Sequence, residues 1–244
     1  MRALYLSNFD VNANEIKIEG EQLLHLNVVR AKQGDQVLLL DGCGSKVLSH
    51  IVEIHKKYMI LRKFESQIVE PAKLNKKLYL FLALPKKDAF VDILKIATEC
   101  GVTDIFPLSS EYSQFEFTPS ERYDRVLESS LIQSNNLFIP KIHSQAKLHD
   151  IGELYRQINA SCPLTFMSST KSQDTKSKNK NAHLKLSHDN SRERALLIGP
   201  EGGFSIREEQ FLSELEFVEK IHLPTPIMRS ATAAAVAIGY LLAE

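Results

Sequence analysis

The spacing of apolar positions changes near residue 70. From Met1 to about Glu70 the chain carries short alternating or apolar runs, "RALYL", "EIKIE", "QVLLLDG", "KVLSHIVEI" and "YMILRKF". Turn-forming "QGD" at 33–35 and "DGCGS" at 41–45 separate them, as expected of strands in a small sheet. One stretch with helical spacing, "GEQLLHLNVVR", interrupts the series. A mostly antiparallel β-barrel over residues 1–70 is predicted. Barrels of this size commonly bind nucleic acid, and a dimerisation or packing module satisfies the same pattern.

Pro71 and the polar "AKLNKK" mark a boundary. Beyond it "LYLFLALP" at 78–85 predicts a buried strand, "DAFVDILKIATECGV" at 88–102 a helix, and "DIFPL" at 104–108 a second strand, an order that implies a parallel pair. The alternation continues through helices near 119–134 and 149–159, strands at 163–167 and 195–198, a helix at 205–215, a strand at 220–224 and a last helix from about Arg229. Residues 71–244 therefore predict an α/β domain with a mostly parallel sheet, whose ligand binds at the carboxyl ends of the strands. Residues 171–194, rich in Ser, Asn and Lys, predict either a basic surface loop that touches an RNA backbone or a plain solvated connector.

Composition narrows the classes. With 244 residues and 43% apolar content the chain can fill a sizeable core, and 30 basic against 30 acidic residues give no net charge to attract nucleic acid or membrane globally. Any basic surface has to be local. Cys43, Cys100 and Cys162 lie far apart without a C-x-x-C pair, which predicts reduced thiols in a cytoplasmic protein, each a small core residue or an inert thiol. No apolar signal segment is visible in the first twenty residues, and "ATAAAVAIGYLLAE" is too short to span a bilayer, so it predicts a buried helix and no membrane partner. His183 and His188 have no further ligand at metal-binding spacing, and no metal is expected.

Chemistry concentrates in "IGPEGGFS" at 198–205, a glycine turn from strand to helix with Glu201 at its centre. A phosphate would want bare N–H groups there, so the turn suits a neutral or cationic ligand. "FMSST" at 166–170, this turn, and "LPTPIMRSATAAA" at 223–235 are expected to converge. Neither glycine-rich nucleotide fingerprint is present among them, which disfavours an unrelated nucleotide-binding enzyme.

"GPEGGFS", followed some twenty residues later by Ile227-Met228-Arg229 and Thr232-Ala233, resembles the RsmE-type family of 16S ribosomal RNA uridine-N3 methyltransferases, in the knotted SPOUT class. Lys95, Thr98, Glu99, Gly101 and Val102, then Pro107, Ser110, Glu111 and Ser113, match a second motif of that family. His25, Arg30, Gly34 and Asp35 match a third, near the N-terminus. The sequence departs from the family pattern at Pro224, in place of glycine, at Ala231, in place of glutamate, and over 129–136, where "SSLIQSNN" keeps only Gln133 and Ser134.

The resemblance implies a PUA-like barrel at 1–70, an α/β domain at 71–244 with a trefoil knot, a homodimer, and S-adenosyl-L-methionine as cofactor for methylating 16S rRNA in the small ribosomal subunit. Cofactor contacts are expected from Met167, Ser168, Ile198, Gly199, Pro200, Glu201, Gly202, Gly203, Leu223, Pro224, Ile227, Met228, Ser230, Thr232 and Ala233. Arg229 is expected to face the uracil oxygens or else to tie its loop to a carboxylate, and Glu201 to act as base or else to cap the following turn. Thr232 is expected to cap the last helix, with a cofactor contact second. RNA contacts are expected from His25, Arg30 and Gln133, with a plain surface arginine as the other reading of Arg30; Thr98 and Glu99 are placed facing the site, or else Glu99 belongs to an exposed stripe. A noncatalytic RNA-binding relative with the same fold, or a knotted methyltransferase with a different RNA target, is the competing expectation.

Overall fold

Alternation over the first seventy residues folds as one five-stranded sheet. The computed structural model describes residues 2–64, 72–74, 76–167, 193–222 and 225–243. Strands β1 (Arg2–Tyr5), β2 (Glu15–Ile18), β3 (Gln36–Leu40), β4 (Lys46–Ile54) and β5 (Met59–Lys63) lie in the order β1-β3-β4-β5-β2, with helix α1 at Gly20–Val28. β1 pairs parallel to β3, and the other pairings are antiparallel. Val37 and Leu39 of β3 join Leu4, Ile18, Val47, Ile51 and Leu61 in a core closed by Leu23 and Leu26 of α1. Leu38 and Leu40 point the other way and pack on Leu131, Leu137 and Ile139. Because both faces of β3 are covered, its sequence is continuously apolar rather than alternating.

Contacts divide the chain into two units: Met1–Leu74 with Leu127–Ile139, and Asn75–Val126 with Pro140–Glu244. The expected division at 70/71 contains no such return of the chain. Its physical basis is Leu131, fully buried against Leu38 and Leu40, a placement worth about 1.5–3 kcal/mol to a leucine. "SSLIQSNN" therefore serves packing at Ser130 and Leu131, both buried, and leaves Gln133 exposed.

In the second unit, β6 (Lys77–Ala83), α2 (Lys87–Glu99), β7 (Asp104–Ser109), α3 (Glu121–Ser134, its residues from Leu127 counted with the first unit), β8 (Lys141–Ile142), β9 (Ala146–Lys147), α4 (Ile151–Ile158), β10 (Leu164–Met167), β11 (Glu193–Ile198), α5 (Ile206–Glu214), β12 (Val218–Ile221) and α6 (Ser230–Leu242) follow in turn. The sheet runs β12-β10-β11-β6-β7-β8, with β9 beside β7, and every pairing is parallel. Tyr79, Phe81, Ala195 and Leu197 face a core completed by Tyr155 of α4 and Leu212 of α5. The alternate residues Leu80, Leu82, Leu196 and Ile198, equally buried, point to the opposite face, and there α6 packs against β11 and α2. The expected α/β architecture with a small N-terminal β unit is borne out.

Several expectations shift. The strand placed at 220–224 is β12 at Val218–Ile221, because its register on β10 runs from Leu164 with Val218 to Met167 with Ile221. Glu219 and Lys220, exposed on this edge strand, hid its start. Glu193 and Arg194, assigned to a loop, begin β11. The rest of that loop lies outside the described residues, as do 168–192 and 223–224, so the expected trefoil knot falls there too. Cys162 is buried as expected, but Cys43 is exposed. The "ATAAAVAIGYLLAE" helix is buried along Ala233, Ala234, Ala237, Ile238 and Leu241. No helix among the described residues is long and apolar enough to cross a membrane.

Candidate active site

The chain leaves β6 toward β7 on one side and β11 toward β12 on the other, so these neighbouring strands flank the switch point where open α/β sheets bind ligands. Here that crevice is bridged. The Lys86 N–H, at the start of α2, donates to Oε1 and Oε2 of Glu201 at 3.1 and 3.2 Å. Glu201 thus caps α2 rather than the turn that follows it, satisfying a donor that the helix itself leaves unpaired.

Beyond Glu201 the turn is shaped by close approach. Gly203 adopts φ +71°, a conformation that costs a side-chain-bearing residue about 1 kcal/mol, and its N–H donates to the Pro200 carbonyl at 2.9 Å. A Cβ on Gly199 would stand 3.1 Å from the Phe204 ring, and one on Gly202 3.3 Å from Tyr112 Cβ. Ser205 then opens α5 with a capping box: its Oγ accepts from the Glu208 N–H at 3.3 Å while its own N–H donates to Glu208 Oε2 at 2.9 Å. The other oxygen of this buried carboxylate accepts from the Glu111 N–H at 2.7 Å, which fixes the loop after β7 to the start of α5.

On the β10 side of the turn a pocket of about 200 Å³ opens at the carboxyl ends of β10, β11 and β12. Met167, Ile198, Gly199, Pro200, Glu201, Gly202, Gly203, Ile227, Met228, Ser230 and Ala233, all expected there, line it. Arg229 and Thr232 do not: both are exposed, Arg229 as the N-cap residue of α6 and Thr232 two residues into the helix, where it makes no capping bond among the described residues. Ser168, Leu223 and Pro224 lie outside the described residues. Thr98 is buried within α2, donating to the Leu94 carbonyl at 2.8 Å, and Glu99 is exposed at the opposite end of α2 from Lys86, so neither joins the pocket. His25, Arg30 and Gln133 are exposed and fall in the first unit.

Six further residues line the pocket: Phe166, Phe204, Thr225 and Pro226, which lie in the stretches expected to converge without being singled out as contacts, and Glu209 and His222, which lie outside them. Phe166 and Phe204 meet edge to face at 5.3 Å, and Glu209 is held by Lys220 Nζ at 3.0 Å. Proximity to the glycine turn could have suggested Phe204; nothing local marks Glu209 or His222. The lining has two carboxylates, and neither Lys nor Arg among the described residues. Both carboxylates are already engaged, Glu201 by the Lys86 N–H and Glu209 by Lys220. The wall thus offers a phosphate no cation among its described residues and does not repel a cationic ligand. Ser230 Oγ, buried at the first residue of α6, has no hydrogen-bond partner among the described residues. A buried hydroxyl left unpaired costs free energy, and a ligand with a hydrogen-bonding group would offset that cost. An apolar, carboxylate-bearing pocket with one unpaired hydroxyl fits S-adenosylmethionine, which carries a sulfonium and no phosphate.

A family profile described as an RNA methyltransferase domain matches residues 72–242, and one described as an RNA methyltransferase PUA domain matches 18–64. The chain belongs to the RNA methyltransferase family. Similar curated proteins are a ribosomal RNA small subunit methyltransferase E from Rickettsia conorii, 27% identical over 97% of this chain and 93% of that protein, and a ribosomal RNA small subunit methyltransferase E 2 from Borreliella burgdorferi, 25% identical over 100% and 97%. A solved ribosomal RNA small subunit methyltransferase E from Neisseria gonorrhoeae, bound to S-adenosyl methionine, has the same fold, with a TM-score of 0.79 at 21% identity over 100% of this chain and 97% of the other. The family resemblance read from the motifs is borne out for this RNA methyltransferase. Its pocket lies within the span of the methyltransferase profile.

Proposed function

We propose that the protein is an S-adenosylmethionine-dependent methyltransferase of small-subunit ribosomal RNA, acting on N3 of a uridine in 16S rRNA. The observation that carries this reading is the pocket at the ends of β10, β11 and β12, with its unpaired Ser230 hydroxyl, its two carboxylates and no cationic side chain among its described lining. The names of the curated relatives and of the solved structure agree with it.

When bound, the cofactor supplies a methyl group made electrophilic by its sulfonium. Phe166, Ile198, Ile227 and Met228 are the apolar walls that would hold it, and Ser230 Oγ the hydrogen-bonding group. The chain then has to orient uracil and stabilise the charge on its oxygens as N3 loses a proton. Arg229 takes this role in our reading. Its guanidinium is exposed beside the pocket and has no carboxylate partner among the described residues, which favours it over a loop tether. Glu201, with both oxygens at the Lys86 N–H, we assign to holding the turn in place, and a proton-accepting role is its alternative. Residues 1–70 carry RNA contacts through His25 and Arg30, joined by Gln133, and residues 71–244 carry the cofactor. A cytoplasmic homodimer completes the proposal; Val236 and Leu242, exposed on the apolar α6, are a surface for a second copy.

The test is incubation with methyl-labelled S-adenosylmethionine and small ribosomal subunits from a strain lacking the protein, followed by digestion and identification of the labelled nucleoside. Label in 3-methyluridine is expected. Label in another nucleoside overturns the site of methylation, and cofactor binding without label favours the noncatalytic relative.

A further inference from the structure

Tyr112 is an exposed aromatic residue locked beside the candidate site. It is 43% exposed, and among the described residues its hydroxyl has no partner. Its loop is nevertheless tightly held. The Glu111 N–H is fixed to the buried Glu208 carboxylate at 2.7 Å. The Ser110 N–H donates to Ser113 Oγ at 2.9 Å, the Gln114 side chain to the Tyr112 carbonyl at 2.9 Å, and the Gln114 N–H to the Leu84 carbonyl at 3.0 Å. The ring lies so near the glycine turn that a Cβ on Gly202 would meet Tyr112 Cβ, Cγ and Cδ2 at 3.3–3.4 Å. Gly202 itself lines the pocket. One backbone thickness therefore separates an open aromatic ring from the cofactor cavity.

An exposed, immobilised ring at such a place suits a base better than a phosphate. Exposed Glu111 precedes Tyr112 in the chain and exposed Glu201 precedes Gly202, and carboxylates there repel phosphate oxygens but not the face of a neutral base. Aromatic side chains recognise splayed-out RNA bases by stacking, and a preset ring loses little entropy on binding. Exposed Lys86 and Lys87, at the start of α2, supply cations for the adjoining phosphates. Given the methyl transfer to uridine proposed above, we propose that Tyr112 is the platform on which the target uracil, unstacked from its RNA, is held for reaction.

Tyr112→Ala and Tyr112→Phe, assayed beside the unaltered protein on small ribosomal subunits lacking the methyl group, test this. The alanine variant is expected to raise KM for the subunits on the order of tenfold, the phenylalanine variant to leave it unchanged, and both to keep the cofactor affinity measured by calorimetry. An unchanged KM in Tyr112→Ala, or a defect confined to cofactor affinity, overturns the proposal, the latter because it would make the ring a mere prop for the turn. The chain contains no tryptophan, so Tyr112→Trp adds a single indole. Its fluorescence is expected to be quenched by a single-stranded uridine-containing RNA in the presence of S-adenosylhomocysteine, and an indole that no such RNA quenches also overturns the proposal. If the unaltered protein labels no uridine, the assigned reaction fails on its own, and the quenching measurement still decides the role of Tyr112.

Discussion

Two walls of the pocket are built in contrasting ways. The turn after β11 is braced at every step: Glu201 on Lys86, Gly203 on Pro200, and Glu208 on both Ser205 and Glu111. The loop before α6, from Thr225 to Arg229, has no side-chain hydrogen bond among its described residues; Ile227 is 86% exposed, and α6 begins without a side-chain cap. One side is set before a ligand arrives, whereas the other carries the Ser230 hydroxyl, and next to it in the chain the exposed Arg229, both without a side-chain partner among the described residues. The difference teaches that rigidity and reactive polarity are divided between neighbouring loops. The braced turn fixes position, and in the proposed function the open loop is the one that meets ligand and substrate.

Substitutions can break this division or sharpen it. The largest effect is expected from Arg229→Ala, with methyl transfer reduced roughly 100-fold or more and cofactor affinity kept; calorimetry beside single-turnover assays checks both. An equal fall in affinity would return Arg229 to a structural part. Glu208→Ala, on the braced side, orphans two backbone donors and is expected to cost about 2–3 kcal/mol, read as a lowered urea midpoint. Ser230→Ala is the converse: the protein without ligand should lose no stability, while cofactor binding weakens roughly fivefold, about 1 kcal/mol.

The smallest effect concerns the far end of β11. The Ser161 N–H at 2.9 Å is the main cause that holds the Glu193 carboxyl below the usual carboxylate range, against the opposing effect of burial; the Ser161 and Tyr79 hydroxyls add to it. A depressed folded-state value contributes stability above the unfolded value and loses it as pH falls through the folded one. Between about pH 5 and pH 3 the unaltered protein should therefore lose slightly more stability than Glu193→Gln. Parallel acid titrations of the unfolding midpoint check this, and equal losses in the two proteins would overturn it.

How much of this was legible in the sequence follows from where the forces act. β4 reads directly from "KVLSHIVEI", because alternation reflects one covered and one less covered face, and it spans Lys46–Ile54 as drawn. β6 reads as a strand because both of its faces are buried. β12 was misplaced, since an edge strand does not require apolar residues on both faces, and the two-residue β8 and β9 are too short for any period. The return of Leu127–Ile139 to the first unit could not be seen at all. Leu131 reads as part of an ordinary amphipathic helix, and only the fold shows what it covers.

The site divides similarly. The glycine turn was legible because its steric demands fall on neighbouring residues. Glu201 was recognised as important, yet its partner lies 115 positions away in sequence, so no local pattern could reveal that it caps α2. Glu209 and His222 enter the pocket only because β12 lies beside β10. Ser230 was selected by motif, and its significance, a buried hydroxyl left unpaired, is visible only in three dimensions.

The Glu208 carboxylate, shared between the loop after β7 and the first turn of α5, also governs how this part of the molecule opens. Neither loop can swing into solvent without stranding the charge that holds the other, so the two should fluctuate as one cooperative element. In native-state hydrogen exchange the amides of Glu111 and Ser205, distant in sequence, would then share one opening free energy and one denaturant dependence.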